Sequence, residues 1–240
     1  MGVYSIPNLT ANIRRIAVLN WKGGCGKSMI SANLASYYAN QDSRVALIDH
    51  DPQGTSLRWL NQRDDSLPVI HGINPSARTT QTTRSYNMRL PPGTQRVIFD
   101  TPAGLRGPEL QELVRETDYL VIPVLPSDAD IHSAAAFVAE LLLDARVKPS
   151  GAKVGIVANR VKQNTVIYES LNRFLQQLQF PLITRLRDTQ HYVRAAESGQ
   201  GIFDLQANSR VRRDLEQWQP IIDWLEQDLP DGTQYDLNLA

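Results

Sequence analysis

Short hydrophobic runs alternate along the chain with longer stretches in which apolar residues recur every three or four positions. The short runs are typical of buried parallel strands, and the longer stretches are typical of helices with one apolar face. Their alternation at this spacing indicates βαβ units. The sequence therefore predicts an α/β fold, a mostly parallel, twisted β-sheet flanked by helices on both faces. The six predicted strands span residues 14–20, 44–51, 96–102, 118–124, 152–160 and 180–188.

Helical periodicity is clearest directly after the first predicted strand, over residues 27–40. Two further amphipathic stretches, 130–146 and 165–178, also predict helices because their apolar residues fall on one face. A last helix is predicted over about 209–228. The polar segment 74–93 has no clear period, and we predict a mixture of helix and loop there.

Length and composition fit one globular domain. The chain has 240 residues, 42% of them hydrophobic and 21% charged, which is ordinary for such a domain. No apolar run reaches about 18 residues, so no transmembrane helix is predicted. The single cysteine, Cys25, allows no internal disulfide and favours a reducing cytoplasm. We predict one domain over 1–240, with an N-terminal extension at 1–13 and a polar acidic tail at 229–240.

The formal net charge of zero hides an uneven distribution. Residues 146–213 hold 12 lysines and arginines against 4 acidic residues, whereas residues 214–240 hold 7 acidic residues and no lysine or arginine. A basic segment is therefore followed by an acidic chain end, a pattern that often marks an interaction surface.

The stretch LNWKGGCGKS, residues 19–28, carries the clearest chemistry. A glycine-rich loop that leaves a strand and opens a helix presents free backbone N–H groups to an anionic phosphate. Lys27 suits the β- and γ-phosphates of a nucleotide, and the hydroxyl of Ser28 suits Mg²⁺. The usual pattern G-x-x-x-x-G-K-[ST] is met only at its end, because Trp21 replaces the leading glycine and Lys22 follows it.

The segment KGGCGKS resembles the deviant Walker A motif, KGGxxGK[ST], of the ParA/MinD family of P-loop ATPases. The resemblance implies a P-loop NTPase fold, ATP hydrolysis to ADP and phosphate, Mg²⁺, and an ATP-dependent homodimer. Lys27 would serve its own ATP, whereas Lys22 would reach the nucleotide of the partner subunit, as an arginine finger does in trans; a solvated Lys22 is the alternative. The residues that the resemblance places against ATP are Gly23, Gly24, Cys25, Gly26, Lys27, Ser28 and Met29.

Two acidic segments extend the resemblance. LIDHDPQGTSL, residues 47–57, resembles switch I of the family, which implies that Asp51 orients the attacking water and that Asp49 lies close to Mg²⁺. RVIFDTPAG, residues 96–104, resembles Walker B followed by switch II, and it aims Asp100 at Mg²⁺ or its waters. The alternative for Asp49 and Asp51 is a helix-capping or solvated carboxylate.

Two further positions match more locally, and Trp21 and Cys25 depart from the pattern of the family. In VANRV, residues 157–161, the resemblance implies that Asn159 meets the adenine edge. Asp130 matches an acidic position on the dimer face of the family. Trp21 has two open interpretations, packing on the dimer face or covering the edge of the sheet. We interpret Cys25 as a small residue that fits the loop, although an exposed thiol at this position could be oxidised.

The cysteine content and the C-terminal sequence argue against two kinds of ATPase in this family. An iron protein of the nitrogenase type needs cluster-ligating cysteines beyond Cys25. A MinD-like membrane cycle needs a basic amphipathic C-terminal helix, whereas this chain end is acidic and interrupted by Pro220 and Pro230. We therefore expect no membrane association.

The basic segment favours DNA. In ParA-type proteins this region carries arginines that bind DNA phosphates without reading sequence, and a solvated helix face balanced by the acidic tail is the alternative. We predict a cytoplasmic, nucleoid-associated ATPase of the short ParA type. A ParB-like or small basic adaptor would link it to a plasmid, a chromosome or a protein assembly such as carboxysomes. The rival hypothesis is a P-loop small-molecule ligase or kinase. The DNA-binding candidates are Arg185, Arg187, Arg194, Arg210, Arg212 and Arg213.

Overall fold

In the part of the chain that the structure describes, seven parallel strands form the central sheet. The computed structural model describes residues 13–75, 90–143, 147–162, 174, 180–205 and 209–227. Across the sheet the order is β3-β2-β4-β1-β5-β6-β7, and each neighbouring pair is parallel. The predicted α/β class is confirmed. The strands are β1 Arg14–Val18, β2 Val45–Asp49, β3 Ile70–Ile73, β4 Arg96–Asp100, β5 Tyr119–Val124, β6 Lys153–Val161 and β7 Leu182–Arg187.

The prediction of six strands is wrong by one, because β3 was missed. This strand has four residues, and only its first and last are buried, so it shows neither an apolar run nor alternation. It pairs with β2 alone. At Gly72 a Cβ atom would lie 2.7 Å from a side-chain carbon of Leu60 and 2.8 Å from one of Leu57. The strand is therefore held at the edge of the sheet by a neighbouring strand and by the side chains that pack over its glycine.

Helices follow most of the strands. The predicted helix at 27–40 is confirmed to the residue, and the last helix ends three residues earlier than predicted. The predicted helix at 165–178 lies outside the described residues except for Phe174, as does most of 74–93. Residues 1–12 and 228–240 lie outside them too. The helices are α1 Lys27–Asn40, α2 Thr55–Asn61, α3 Gly107–Glu116, α4 Asp128–Leu143, α5 Val147–Ser150, α6 Gln190–Glu197 and α7 Ser209–Leu225, with a 3₁₀ turn at Ile202–Asp204.

The core forms one apolar cluster on each face of the sheet. Leu110 of α3 and Phe137 of α4 belong to one cluster, and Leu34 of α1 and Trp218 of α7 belong to the other. Helices thus cover both faces, as predicted, and the removal of these side chains from water supplies the main stabilisation of the fold. Within the described part of the chain, no helix is long and apolar enough to cross a membrane.

The acidic end of α7 lies at the amino-terminal edge of the sheet. Glu226 pairs with Arg14 at 3.0 Å and with Arg96 at 3.1 Å, and it accepts a hydrogen bond of 2.8 Å from the Tyr38 hydroxyl. Arg14 and Arg96 are the first residues of β1 and β4. This end of the helix is therefore fixed on the side of the sheet opposite to the loop that follows β1.

Candidate nucleotide-binding site

The loop between β1 and α1 adopts a conformation that glycine favours. Gly24 has φ 77° and Gly26 has φ 100°, both in the left-handed region that residues with a Cβ atom rarely adopt. A Cβ atom on Gly26 would also lie 2.2 Å from Nδ2 of Asn159. The loop can therefore bring its backbone N–H groups close to an anion at the N-terminus of α1, as the sequence predicts for phosphate.

Lys27 lies inside this loop. It is only 7% exposed, and its ammonium donates to the carbonyl oxygens of Lys22, at 3.0 Å, and Asn20, at 3.3 Å. Both acceptors are neutral, and a buried charge without a counter-charge is costly. The site is thus prepared for an anionic ligand, and the nucleotide phosphates supply that charge.

The two candidate magnesium carboxylates lie side by side at the carboxyl edge of the sheet. Asp49 ends β2, Asp100 ends β4, and the two are paired in the register of those strands. Asp100 is fully buried, and its Oδ2 has no hydrogen-bond partner among the described residues. Burial raises the pKa of Asp100 to about 7, against the lowering effect of the nearby Ser28 hydroxyl and with a further rise from Asp49.

An orphaned carboxylate oxygen beside a serine hydroxyl fits Mg²⁺. That ion usually takes one or two protein oxygens and completes its octahedron with waters and substrate phosphates. The described residues hold no group of three or more histidine, cysteine or acidic side chains that would form a metal cage. Ser28 and Asp100 would hold the ion together with the nucleotide, where it would neutralise phosphate charge.

Asp49 and Asp51 order the turn that follows β2. The two oxygens of Asp49 accept the backbone N–H groups of Asp51, at 3.0 Å, and Leu57, at 3.1 Å. Oδ1 of Asp51 accepts the N–H of Gln53 at 2.9 Å. Asp49 therefore caps α2, which was its alternative role, and lies beside Asp100; its closeness to Mg²⁺ stays a prediction. Asp51 is half-buried at the rim of the site.

Lys22 forms an ion pair within its own chain. Its ammonium lies 3.0 Å from Oδ2 of Asp130, which also accepts the hydroxyl of Ser127. The side chain of Asp130 is 5% exposed, whereas that of Lys22 is 36% exposed. Two of the three residues predicted for the dimer face are thus neighbours, and Lys22 must leave Asp130 before it can reach a partner subunit.

Asn159 and Cys25 meet beneath the loop. The amide nitrogen of Asn159 donates to the Cys25 carbonyl at 2.8 Å, and its oxygen accepts the N–H of Arg160 at 2.9 Å. Its contact with adenine stays a prediction. Cys25 is fully buried, and burial raises the pKa of its thiol, so the interpretation as an exposed, oxidisable thiol is not supported. Met29 lies beside Gly26 at the start of α1.

Trp21 packs within the chain rather than standing free. Its ring centroid lies 5.7 Å from that of Phe137, and the guanidinium carbon of Arg106 lies 3.8 Å from its centroid. Neither Arg106 nor Phe137 was predicted as a site residue. No local motif marks them, because they reach Trp21 from α4 and from the loop before α3.

Three of the six predicted DNA-binding arginines lie together. Arg187, Arg210 and Arg213 line an open pocket of about 350 Å³ with Thr189 and His191. The other three candidates, Arg185, Arg194 and Arg212, do not line this pocket, and Arg212 pairs with Glu216 of α7 at 3.5 Å.

The site combines a glycine-rich loop around a buried lysine, a helix that begins in this loop, and two carboxylates at the ends of neighbouring parallel strands. This combination defines a P-loop nucleoside triphosphatase. The chain belongs to the CobQ/CobB/MinD/ParA nucleotide-binding domain family, whose model matches residues 16–202. It is accordingly an ATPase that binds ATP, and Mg²⁺ is its expected cation.

Two similar proteins are both called maintenance of carboxysome distribution protein A. The one from Halothiobacillus neapolitanus is 30% identical over 205 residues, covering 83% of this chain and 91% of that protein. The one from Gloeobacter kilaueensis is 32% identical over 148 residues, covering 62% and 63%.

Two solved structures share the fold at low identity. A plasmid partition protein of Borrelia burgdorferi bound to AMPPNP has a TM-score of 0.64 and 14% identity over 88% of this chain and 99% of that one. An ATP complex of McdA from Cyanothece has a TM-score of 0.61 and 16% identity, covering 92% and 100%.

The raised pKa of Asp100 predicts a pH-dependent response to magnesium. Because the folded pKa of Asp100, about 7, lies above the ordinary aspartate pKa of 3.8, the unfolded chain loses this proton first as pH rises. The contribution of Asp100 to folding stability therefore falls up to about pH 7 and stays low above it. Mg²⁺ with ADP should raise the unfolding temperature more at about pH 8 than at about pH 6, as thermal denaturation would show.

Asp100→Asn is the control for this prediction, because the amide cannot titrate or bind Mg²⁺ in the same way. The variant should lose the difference between the two pH values. An equal response of the unaltered protein at both values would contradict the assignment of Asp100 to the ion.

Proposed function

We propose that ATP joins two copies of this chain in a sandwich dimer that binds nucleoid DNA non-specifically and positions an intracellular cargo. The observation that carries the proposal is the similarity to carboxysome distribution protein A along 205 residues. Among the cargoes, a protein assembly of the carboxysome kind is therefore the one we favour. An adaptor protein on the cargo would stimulate hydrolysis and release the dimer, so that hydrolysis drives redistribution in the cytoplasm.

The arrangement around Lys22 supports ATP-dependent dimerisation. Lys27 is buried among the loop carbonyls and serves the nucleotide of its own chain. The side chain of Lys22 is 36% exposed, and its ammonium pairs with Asp130 of α4. A second lysine so placed suits phosphates that arrive with another subunit, and Asp130 would hold it until then.

The arginine pocket supports binding to a phosphate backbone. Asp214 is buried and accepts from Nε and Nη2 of Arg187 and bonds to Nδ1 of His191. These contacts pre-organise the Arg187 guanidinium, whose Nη1 makes no hydrogen bond with the described residues. A carboxylate accepts only, so Nδ1 of His191 carries the proton. The pocket thus offers the oriented guanidinium of Arg187 together with Arg210 and Arg213, which suits contacts to phosphates.

Binding to DNA in three nucleotide states is the direct test of the proposal. A mobility-shift titration should show binding with Mg²⁺ and ATP and little or none with ADP or without nucleotide. Dimerisation doubles the arginine contacts, and each neutralised phosphate releases counterions, so affinity should fall steeply with salt. Equal binding in all three states would contradict nucleotide-switched DNA binding.

Arg213→Ala and Arg212→Ala form a matched pair for the same assay, since the two arginines are adjacent on α7 and only Arg213 lines the pocket. Loss of one phosphate contact per subunit should reduce the slope of log affinity against log salt by about two per dimer for Arg213→Ala. The slope for Arg212→Ala should stay close to that of the unaltered protein. The reverse order would place the DNA elsewhere on α7.

Two other functions lack support. A chloroplastic Fe-S cluster assembly factor of Oryza sativa subsp. japonica is 32% identical over 153 residues, but the match covers 26% of that protein. Cluster binding requires thiolates, and Cys25 is the single cysteine and is buried in the loop. For a small-molecule ligase or kinase, the candidate substrate region 74–93 lies mostly outside the described residues.

A further inference from the structure

The segment that follows β4 runs along the P-loop. We use the name switch II segment for residues 101–106. A Cβ atom on Gly23 would lie 3.9 Å from that of Ala103, and the N–H of Gly104 donates to the Trp21 carbonyl at 2.9 Å. The guanidinium of Arg106 then covers the Trp21 ring at 3.8 Å. The hydrogen bond from Gly104 and the stack of Arg106 therefore hold the switch II segment against the P-loop, and Gly23 leaves room for Ala103 between them.

Trp21 also packs against helix α4. Its ring packs against Phe137 of α4, and its Nε1 is buried and has no hydrogen-bond partner in the described part of the chain. Arg106 is exposed and is the last residue before α3. The contact between Arg106 and Trp21 is thus the last one along the segment, and it fixes the start of α3 next to the start of the P-loop. Tryptophan offers the best ring for this purpose, because its face attracts cations most strongly.

The position of this segment matters for hydrolysis. Asp100, directly before it, is the candidate magnesium ligand, and Gly23, next to Ala103, is predicted to approach the phosphates. Catalysis of phosphoryl transfer is mostly positioning and electrostatic stabilisation. A small displacement of a positioned group lowers the rate sharply, whereas the affinity for ATP rests mainly on Lys27 and the loop backbone.

We propose that Trp21 and Arg106 are positioning residues for ATP hydrolysis, which act together by holding the switch II segment against the P-loop. They act on the chemical step through this segment and not by contact with the nucleotide. The ring of Trp21 is the platform, and the planar guanidinium of Arg106 is the group that it holds. Both residues are needed for one effect, so their contributions to the rate should not be independent.

A double-mutant cycle in the ATPase reaction tests this pairing. Arg106→Met keeps the length of the side chain without its charge, and Trp21→Phe keeps a smaller ring. Arg106→Met should lower kcat by about three- to tenfold, with KM for ATP unchanged. Trp21→Phe should lower kcat less, and the double variant should be no slower than Arg106→Met. Arg106→Lys should restore only part of the rate, because an ammonium does not stack.

Arg115→Met is the matched control, because this exposed arginine of α3 lies away from Trp21 and should leave kcat unchanged. The assay omits DNA, so its outcome does not depend on DNA binding, and unfolding temperatures verify that each variant is folded. Arg106→Met with the full rate, or with a changed KM and an unchanged kcat, would overturn the proposal. Single effects that multiply in the double variant would overturn it as well.

Discussion

Lys22→Ala is expected to abolish ATP-dependent dimerisation while ATP binding is retained. The lysine supplies positive charge to the phosphates of the partner subunit, and without it two bound nucleotides repel across the interface. Loss of a cation supplied in trans costs about 10³-fold or more in hydrolysis rate, so the ATPase activity should fall to background. Analytical ultracentrifugation with ATP and Mg²⁺ would show the monomer alone.

Two control variants separate this role from other effects. Lys27→Ala should lose ATP binding itself, because Lys27 lies inside the loop of its own chain. Lys162→Ala removes an exposed lysine that pairs with Asp188 and lies outside the predicted dimer face, so it should leave dimerisation intact. If Lys22→Ala formed dimers and hydrolysed ATP at the normal rate, the role of this lysine in trans would be wrong.

Asp51→Ala should separate nucleotide binding from hydrolysis. The carboxylate is predicted to orient the attacking water, and loss of such a group costs about 10²- to 10⁴-fold in rate. The P-loop does not depend on Asp51, whose carboxylate accepts from Gln53 in its own turn. The variant should therefore bind ATP, dimerise and stay on DNA, and phosphate release in a single turnover would measure the lost step.

Asp51→Asn sharpens this experiment, because the amide oxygen still accepts the Gln53 N–H and keeps the turn. Equal losses in Asp51→Asn and Asp51→Ala would assign the effect to the negative charge. A full rate in Asp51→Asn would show that the turn and not the charge matters. Loss of ATP binding in either variant would contradict the separation.

The sequence by itself determined the parts of the molecule that rest on local chemistry. The strands on either side of β1 are continuous apolar runs, because both faces of a parallel sheet are buried. The P-loop was predicted residue by residue, since its glycines, Lys27 and Ser28 lie within one short segment. Asp100 was predicted from the resemblance of RVIFDTPAG to Walker B and switch II, in which the aspartate ends a buried strand.

Only the tertiary structure shows which distant segments of the chain are in contact. The edge strand β3 has too few buried residues to show a period, and its position depends on β2 and α2. Lys22 and Asp130 form an ion pair although they lie 108 positions apart in the sequence. Arg106, in the loop that follows β4, stacks on Trp21 of the P-loop. Charge counts indicated a basic segment, but only the packing of β7, α6 and α7 selected which arginines share a pocket. Such pairings depend on how strands and helices are ordered in space, and no local pattern of residue types records that order.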